Sequence, residues 1–189
     1  MENTKNKEMI KLIGTIFFFI FSGLLVLFVL LEAFIPNMTI KVFQFKPYTV
    51  ITESMEPVIN VGDMAIVTNP TANKLDKLEV GDIITFNADI DYNGTKEVVT
   101  HYIFSITENT EGERIIRTNR YGSTTPDPWI LGDSDVLGVY AFRIPFLGNV
   151  ANFIKSPYGI VAIVVNILVI GGIVYLVKSG KKEELVKPE

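Results

Sequence analysis

The sequence predicts a mainly β domain flanked by two transmembrane α-helices. The chain has 189 residues, of which 48% are hydrophobic, and its mean hydropathy is +0.33. This value is too high for a purely soluble domain, which directs attention to membrane segments. Two uncharged apolar runs of spanning length enclose a polar middle segment, and this segment contains short strand-like runs between turn residues.

The first apolar run is LIGTIFFFIFSGLLVLFVLL, residues 12–31. Its length matches the roughly 20 residues that an α-helix needs to cross the hydrocarbon core. A cleavable signal peptide is the competing interpretation, because three lysines precede the run. Such a peptide has a shorter apolar stretch and ends in small residues, whereas this run is followed by the Glu32–Pro36 segment, which contains bulky residues. We therefore expect an uncleaved anchor over residues 12–35, after a cytoplasmic N-terminus of residues 1–11.

The second apolar run, residues 158–177, predicts another transmembrane helix. Asn166 is its only strongly polar side chain, and we expect it to make a hydrogen bond within the helix packing. The short ends of the chain carry seven of the 17 basic residues, whereas residues 36–157 carry ten basic and fifteen acidic residues. Basic flanks favour the cytoplasm. Residues 178–189 should therefore be a cytoplasmic tail and residues 36–157 an extracytoplasmic domain of a multi-pass plasma-membrane protein.

The middle segment reads as β-rich. Runs of branched and aromatic residues recur between turn signals, as in VGDMAIVTNP, VGDIITFNADIDYNGT, KEVVTHYIFSITENTEG, RIIRTN and DVLGVYAFRI. Asn93-Gly94 and Glu111-Gly112 predict hairpin turns. The tripeptide V-G-D occurs at 61–63 and 80–82, and we interpret both copies as turns that start strands. Residues 149–155 should form a short helix or an interfacial segment before the second span.

Composition excludes several classes of function. The chain has no cysteine, which excludes disulfides, a cysteine nucleophile and a cysteine-based zinc site. It has one histidine, His101, which excludes metal motifs that need two histidines within one chain. The net charge of −4 and the lack of a dense basic patch argue against a nucleic-acid partner. We expect neither a metal nor an organic cofactor.

The candidates for chemistry are few. A hydrolase needs a nucleophile and a proton acceptor, and the imidazole of His101 titrates near neutral pH. The middle segment has five serines, and Ser54 stands out because it lies shortly after the first span. On the residues alone, a structural histidine and a serine in an ordinary turn remain open alternatives.

Four sequence boxes then resemble signal peptidase I, in the order found in that family. Ser54-Met55-Glu56-Pro57, followed by Gly62-Asp63, resembles the box around the nucleophile. The segment GDIITF at 81–86 resembles the next strand, and VTHYI at 99–103 resembles the histidine box of the ER-type branch. The segment TNRYGSTTPDP at 118–128 is similar to the T-K-G-D-A-N-x-x-P-D-P pattern of the small Gram-positive and archaeal members.

This resemblance implies a signal-peptidase-like β fold and a Ser-His-Asp site made by Ser54, His101 and Asp127. Two departures stand out. Tyr102 replaces the arginine that often follows the histidine, and Arg120-Tyr121 replaces the Gly-Asp of the last box. One of the two acidic positions of the family is therefore missing. Asp133 or Asp135 is the alternative to Asp127 as the acid.

The resemblance further implies a serine endopeptidase that cleaves secreted preproteins after small residues at positions −1 and −3. Its partners would be signal-peptide-bearing preproteins, the lipid bilayer and the secretion translocon. The alternatives are a catalytically silent relative that acts in assembly or binding, a Ser/Lys protease that uses Lys96 or another lysine, and a non-enzymatic two-span structural protein with an outward β-domain. The high usage of Ile, Lys and Asn favours a low-GC Gram-positive bacterium, with an archaeon as the alternative source.

Overall fold

The computed structural model describes residues 2–184, and Met1 and residues 185–189 of the predicted cytoplasmic ends lie outside the described residues. Five α-helices and six β-strands follow one another within residues 2–184. The helices are α1 Glu2–Phe34, α2 Pro36–Phe43, α3 Ala72–Leu75, α4 Leu147–Lys155 and α5 Pro157–Glu184. The strands are β1 Phe45–Thr49, β2 Met64–Thr68, β3 Ile83–Ala88, β4 Glu97–Glu108, β5 Arg114–Asn119 and β6 Val136–Ile144. The predicted fold class, a mainly β domain between two apolar helices, is confirmed.

Two helices are long and apolar enough to cross a membrane, judged by length and composition. These segments are Asn6–Phe34 within α1 and Pro157–Leu176 within α5. Their large apolar side chains are exposed rather than packed into the β domain, as expected of helices whose solvent is lipid. In α5, the side-chain amide of Asn166 donates to the carbonyl of Ala162 at 2.8 Å. Asn166 is therefore satisfied within its own helix.

All six strands form one antiparallel sheet in the order β1-β2-β6-β3-β4-β5. The last strand, β6, lies between β2 and β3 and joins the two halves of the sheet. A hydrophobic core fills one face, with Ile84, Phe86, Ile103 and Ile116 at its centre, each no more than 1% exposed. Branched and aromatic side chains at alternating positions account for these strands.

Both V-G-D tripeptides form the same turn, as predicted. The carboxylate of Asp63 accepts the N–H of Asn60 at 2.9 Å, and that of Asp82 accepts the N–H of Glu79 at 2.9 Å. The glycine before each aspartate has a positive φ, which is 84° at Gly62 and 97° at Gly81. A residue without Cβ adopts this conformation without strain. Strands β2 and β3 start directly after these turns.

Helix α2 and strand β1 were not predicted, and they join the first apolar helix to the sheet. Phe28 of α1 packs against Phe43 of α2 and Phe45 of β1, with ring centroids 5.2 and 6.4 Å away. Such offset or edge-on pairs stabilise a contact beyond simple burial. We call this contact, together with the Glu32–Lys46 ion pair described next, the anchor joint. It holds the first helix directly against the edge strand of the domain.

Lys46 is the polar centre of the anchor joint and is only 8% exposed. Its ammonium group lies 3.2 Å from Oε1 of Glu32 and donates to the carbonyl of Pro36 at 3.0 Å. It also lies over the ring of Tyr48, 5.3 Å from the centroid. Burial, helped by the charge of Glu32, raises the pKa of Tyr48 to about 12. A buried ammonium group is tolerated here because each of these groups compensates its charge.

Candidate active site

His101 lies in the middle of β4, opposite Ile84 of β3. It is 6% exposed. Its imidazole stacks on the indole of Trp129 at 6.1 Å and meets the ring of Phe86 edge-on at 6.3 Å. Two aromatic neighbours restrict the side chain to one orientation. The sole histidine of the sequence is therefore held rigidly by the core rather than displayed on a loop.

Asp127 contacts the imidazole from the loop between β5 and β6. Nδ1 of His101 and Oδ2 of Asp127 are 2.7 Å apart. The main chain of Asp127 is docked on β5, where its N–H donates to the carbonyl of Thr118 at 2.7 Å and its carbonyl accepts from Arg117 at 2.6 Å. The carboxylate is thus positioned by main-chain contacts as well as by the imidazole.

Thr118 and Trp129 complete the surroundings of this carboxylate. Thr118 donates its hydroxyl to Oδ2 of Asp127 at 2.7 Å and accepts the indole N–H of Trp129 at 2.9 Å. Burial alone would raise the pKa of Asp127, but the hydrogen bonds from His101 and Thr118, together with the charges of His101 and Arg120, outweigh it and lower the pKa. Asp127 is therefore ionised at neutral pH. Sequence reasoning did not single out Thr118 or Trp129, because neither residue carries a reactive group.

Ser54 lies on a loop that connects β1 to β2. The two ends of this loop pair with each other, since Val50 donates to the carbonyl of Asp63 at 3.0 Å and Gly62 donates to that of Val50 at 2.9 Å. The hydroxyl of Ser54 lies 3.3 Å from the hydroxyl of Thr52. The loop is therefore closed at its base, and Ser54 lies on it between the paired ends.

One cavity of about 850 Å³ brings the three predicted residues together. Ser54, His101 and Asp127 all line it, and among the described residues no direct hydrogen bond joins Ser54 to His101. Apolar side chains dominate the wall beside Ser54, namely Ile51, Met55, Ile59, Ala65 and Val99. The arrangement offers a hydroxyl, an imidazole and a carboxylate around a space large enough for an extended peptide.

The alternative acids lie elsewhere. Asp135 pairs with Lys96 at 2.8 Å and caps the 3₁₀ turn Asp133–Asp135 through the N–H of Gly132. Asp133 lies 3.6 Å from the guanidinium of Arg114. None of these groups lines the cavity. Of the carboxylates considered from sequence, Asp127 is the one that contacts the imidazole of His101. Lys96, the alternative base, pairs with Asp135 outside the cavity that Ser54 lines.

The two departures from the family pattern lie next to each other. The rings of Tyr102 and Tyr121 are in contact, with centroids 6.4 Å apart and an interplanar angle of 42°. The N–H of Tyr121 donates to the carbonyl of Ser54 at 3.0 Å. Arg120 lines the cavity beside Ser54. The segment that lacks the expected Gly-Asp is thus in direct contact with the loop of the predicted nucleophile.

Within residues 2–184, no group of three or more histidine, aspartate or glutamate side chains is arranged to hold a metal ion. The cavity itself is lined by the imidazole of His101 and the carboxylates of Asp127 and Glu97, and His101 and Asp127 already bond to each other.

The comparison with protein families identifies the family of this chain. The family model for signal peptidase, peptidase S26, matches residues 17–115. No curated protein matches the chain at a significant level. The matched region contains the second half of the first apolar helix, the loop of Ser54 and the strand of His101, and it ends before Asp127. Because the match covers just over half of the chain, the protein belongs to the signal peptidase family, peptidase S26.

Proposed function

We propose that this protein is a membrane-bound serine endopeptidase that removes signal peptides from secreted preproteins. The observation that carries the proposal is the 2.7 Å contact between His101 and Asp127 at the wall of the cavity that Ser54 also lines. Family membership implies a peptidase. The proposed use of histidine rather than lysine as the base favours the ER-type branch.

In the proposed mechanism, the hydroxyl of Ser54 attacks the scissile carbonyl as the imidazole of His101 takes its proton. The ionised Asp127 holds Nδ1–H of the imidazole and stabilises the cation that forms. The same imidazolium then protonates the leaving amine, and a water molecule releases the acyl group by the reverse sequence. Binding of substrate brings Ser54 from its contact with Thr52 to the imidazole, because catalytic hydrogen bonds tighten in the substrate complex.

The developing oxyanion needs a donor, and the main-chain N–H of Ser54 serves this role. Among the described residues this N–H donates no hydrogen bond, so it is available to substrate. A single donor of this kind lowers the barrier by about 2.7–4 kcal/mol in other hydrolases. The oxyanion would thus be stabilised by the same residue that attacks.

The first experiment is processing of a model preprotein by the full chain in liposomes. Wild type should cut, whereas Ser54→Ala, His101→Ala and Asp127→Ala should each lose several orders of magnitude in kcat/KM, without additivity in the double variants. Ser134→Ala is a matched control, since Ser134 is exposed and lies outside the cavity. Full activity of Ser54→Ala would exclude Ser54 as the nucleophile, whereas a wild type inert towards several preproteins would favour the silent assembly or binding factor.

Substrate choice is a separate part of the proposal. The apolar wall made by Met55, Ile59 and Ala65 lies beside Ser54 and favours small apolar side chains next to the cut. Replacing alanine by leucine at position −1 or −3 of the preprotein should reduce kcat/KM by at least tenfold, while the same change at −2 should have a small effect. Equal rates for the three substrates would contradict this specificity.

We further propose that the β domain is extracytoplasmic and that both chain ends are cytoplasmic in the plasma membrane. Two helices of spanning length and the basic ends support this topology. The chain has no cysteine, so one introduced at the exposed Glu111 can be labelled selectively. An impermeant thiol reagent should label it on intact cells, and protection until the cells are lysed would reverse the topology.

A further inference from the structure

Two tyrosines link the strand of the proposed base to the loop of the proposed nucleophile. Tyr102 follows His101 directly in β4, and its ring contacts the ring of Tyr121 at 6.4 Å. The main chain of Tyr121 in turn donates to the carbonyl of Ser54 at 3.0 Å. The structure therefore contains a continuous physical connection from His101 through the two rings to Ser54.

The environment of the pair supports a rigid contact. Tyr102 lies opposite Ile83 of β3 and opposite Asn119 of β5, so its main chain is fixed on both sides. Asn119 in turn donates its side-chain amide to the carbonyl of Ser123 at 2.7 Å, which closes the turn that carries Tyr121. Burial, helped by the nearby Tyr121, raises the pKa of Tyr102, so the phenol of Tyr102 is neutral at physiological pH.

Tyr121 itself is 48% exposed and lies on the loop after β5. Among the described residues, the bond from the N–H of Tyr121 to the carbonyl of Ser54 joins its loop to the Ser54 loop. The Ser54 loop is itself closed at Val50 and Gly62, and its Met55 is buried. The ring contact with Tyr102 adds a link from the loop that bonds to Ser54 to strand β4.

We propose that Tyr102 and Tyr121 are positioning residues that hold the Ser54 loop against the strand of His101. The inference rests on the proposed function and adds two residues to the site. It also joins the two departures from the family pattern into one feature. An aromatic pair stands here at the two positions where the family pattern has an arginine and an aspartate, and either pairing can hold two segments together.

A double-mutant cycle on preprotein cleavage in liposomes tests the contact. Tyr102→Ala and Tyr121→Ala should each lower kcat about tenfold with KM within about twofold. The kcat of the double variant should be no lower than that of the less active single variant. Tyr102→Phe and Tyr121→Phe should keep near-wild-type kcat, because they keep the rings. Additive losses in the double variant, or equal losses in the Phe variants, would overturn the proposal.

A charge exchange gives a sharper test. Tyr102→Arg alone and Tyr121→Asp alone should each be impaired, since each places one unpaired charge at the contact. The variant that carries both changes should recover kcat to within about threefold of wild type. A double variant that is no better than the worse single variant would show that the two positions do not hold each other.

A measurement independent of activity separates this inference from the proposed function. Because the chain has no cysteine, spin labels can be placed on cysteines introduced at Glu53, beside Ser54, and at Glu108, at the end of β4; both residues are exposed. Tyr121→Ala should broaden the distance distribution between the labels, and Tyr121→Phe should not. An unchanged distribution overturns the inference even if wild type is active, and a wild type that is inert refutes the proposed function instead.

Discussion

Thr118 donates its hydroxyl to the carboxylate of Asp127 across 2.7 Å. The oxygen that accepts this bond, Oδ2, is also the one that contacts Nδ1 of His101. Thr118 is fully buried and accepts the indole N–H of Trp129 at 2.9 Å. The orientation of the carboxylate towards the imidazole therefore depends on a hydroxyl group that takes no direct part in the proposed reaction.

Removal of this hydroxyl should impair the proposed enzyme. In Thr118→Val the carboxylate loses one of its donors while it stays buried, so the pKa of Asp127 should rise and its orientation should loosen. We expect kcat to fall about tenfold with little change in KM, measured on a model preprotein. Thr118→Ser keeps the donor and should remain within about threefold of wild type. Equal activity of the valine and serine variants would contradict a positioning role for this hydroxyl.

The choice of acid can be tested by three asparagine substitutions. Asp127→Asn should reduce kcat on the order of 10²–10⁴-fold, because a neutral amide neither stabilises the imidazolium nor fixes its tautomer. Asp133→Asn and Asp135→Asn should stay within about threefold, since these carboxylates bond to Arg114 and Lys96 outside the cavity. The readout is preprotein cleavage by equal amounts of folded protein. A larger loss at position 133 or 135 than at 127 would reassign the acid.

Acid should weaken the fold through Asp63. This carboxylate is 2% exposed; burial raises its pKa, but the bonds from Arg143 and from the N–H groups of Asn60 and Phe146 outweigh this and lower it. The pKa of Asp63 in the folded state therefore lies below its value of about 3.9 in the unfolded chain. The carboxylate then contributes its full stabilisation above about pH 3.9, and this contribution is lost as the pH falls through the folded-state pKa. Asp63→Asn should therefore reduce the free energy of unfolding by about 2–4 kcal/mol at pH 7.

The difference between wild type and Asp63→Asn should narrow below about pH 4, because the unfolded wild-type chain then takes up the proton at Asp63, and it should stop narrowing once the pH lies below the folded-state pKa. Denaturant unfolding followed by the fluorescence of Trp129, the single tryptophan, measures both free energies. Asp82→Asn is a matched control: Asp82 accepts the same kind of turn hydrogen bond, from Glu79, but has no ion-pair partner among the described residues. A loss at Asp82 as large as at Asp63 would show that the turn, and not the buried ion pair, is responsible.

The anchor joint should contribute to stability through Lys46. Lys46→Met keeps most of the apolar stem but removes the charge that bonds to Glu32 and Pro36. We expect a loss of about 1–2 kcal/mol in the free energy of unfolding, less than for a fully buried pair because Glu32 is partly exposed. Lys41→Met, on the exposed face of α2, should change it by less than about 0.5 kcal/mol. Equal effects of the two substitutions would exclude the ion pair as a stabilising contact.

Local pattern was enough for much of the fold. Apolar runs of spanning length, alternating strand residues and turn residues such as Asn93-Gly94 depend on neighbours in sequence, and the structure has helices, strands and turns at these places. Helix α2 and strand β1 escaped prediction because they are short. Strand β1 also contains Pro47, which is compatible with a strand only at an edge. Its place at the edge of the sheet depends on pairing with β2.

The sequence by itself determined the two apolar helices, the β-rich middle, and the short set of residues able to do chemistry, His101 above all. Only the tertiary structure decided that β6 inserts between β2 and β3, that Asp127 rather than Asp133 or Asp135 meets the imidazole, and that Tyr102 meets Tyr121. The physical reason is the sequence separation over which each kind of interaction acts. Periodicity and turn chemistry act over a few residues, whereas these contacts form across distant segments that a common hydrophobic core brings together.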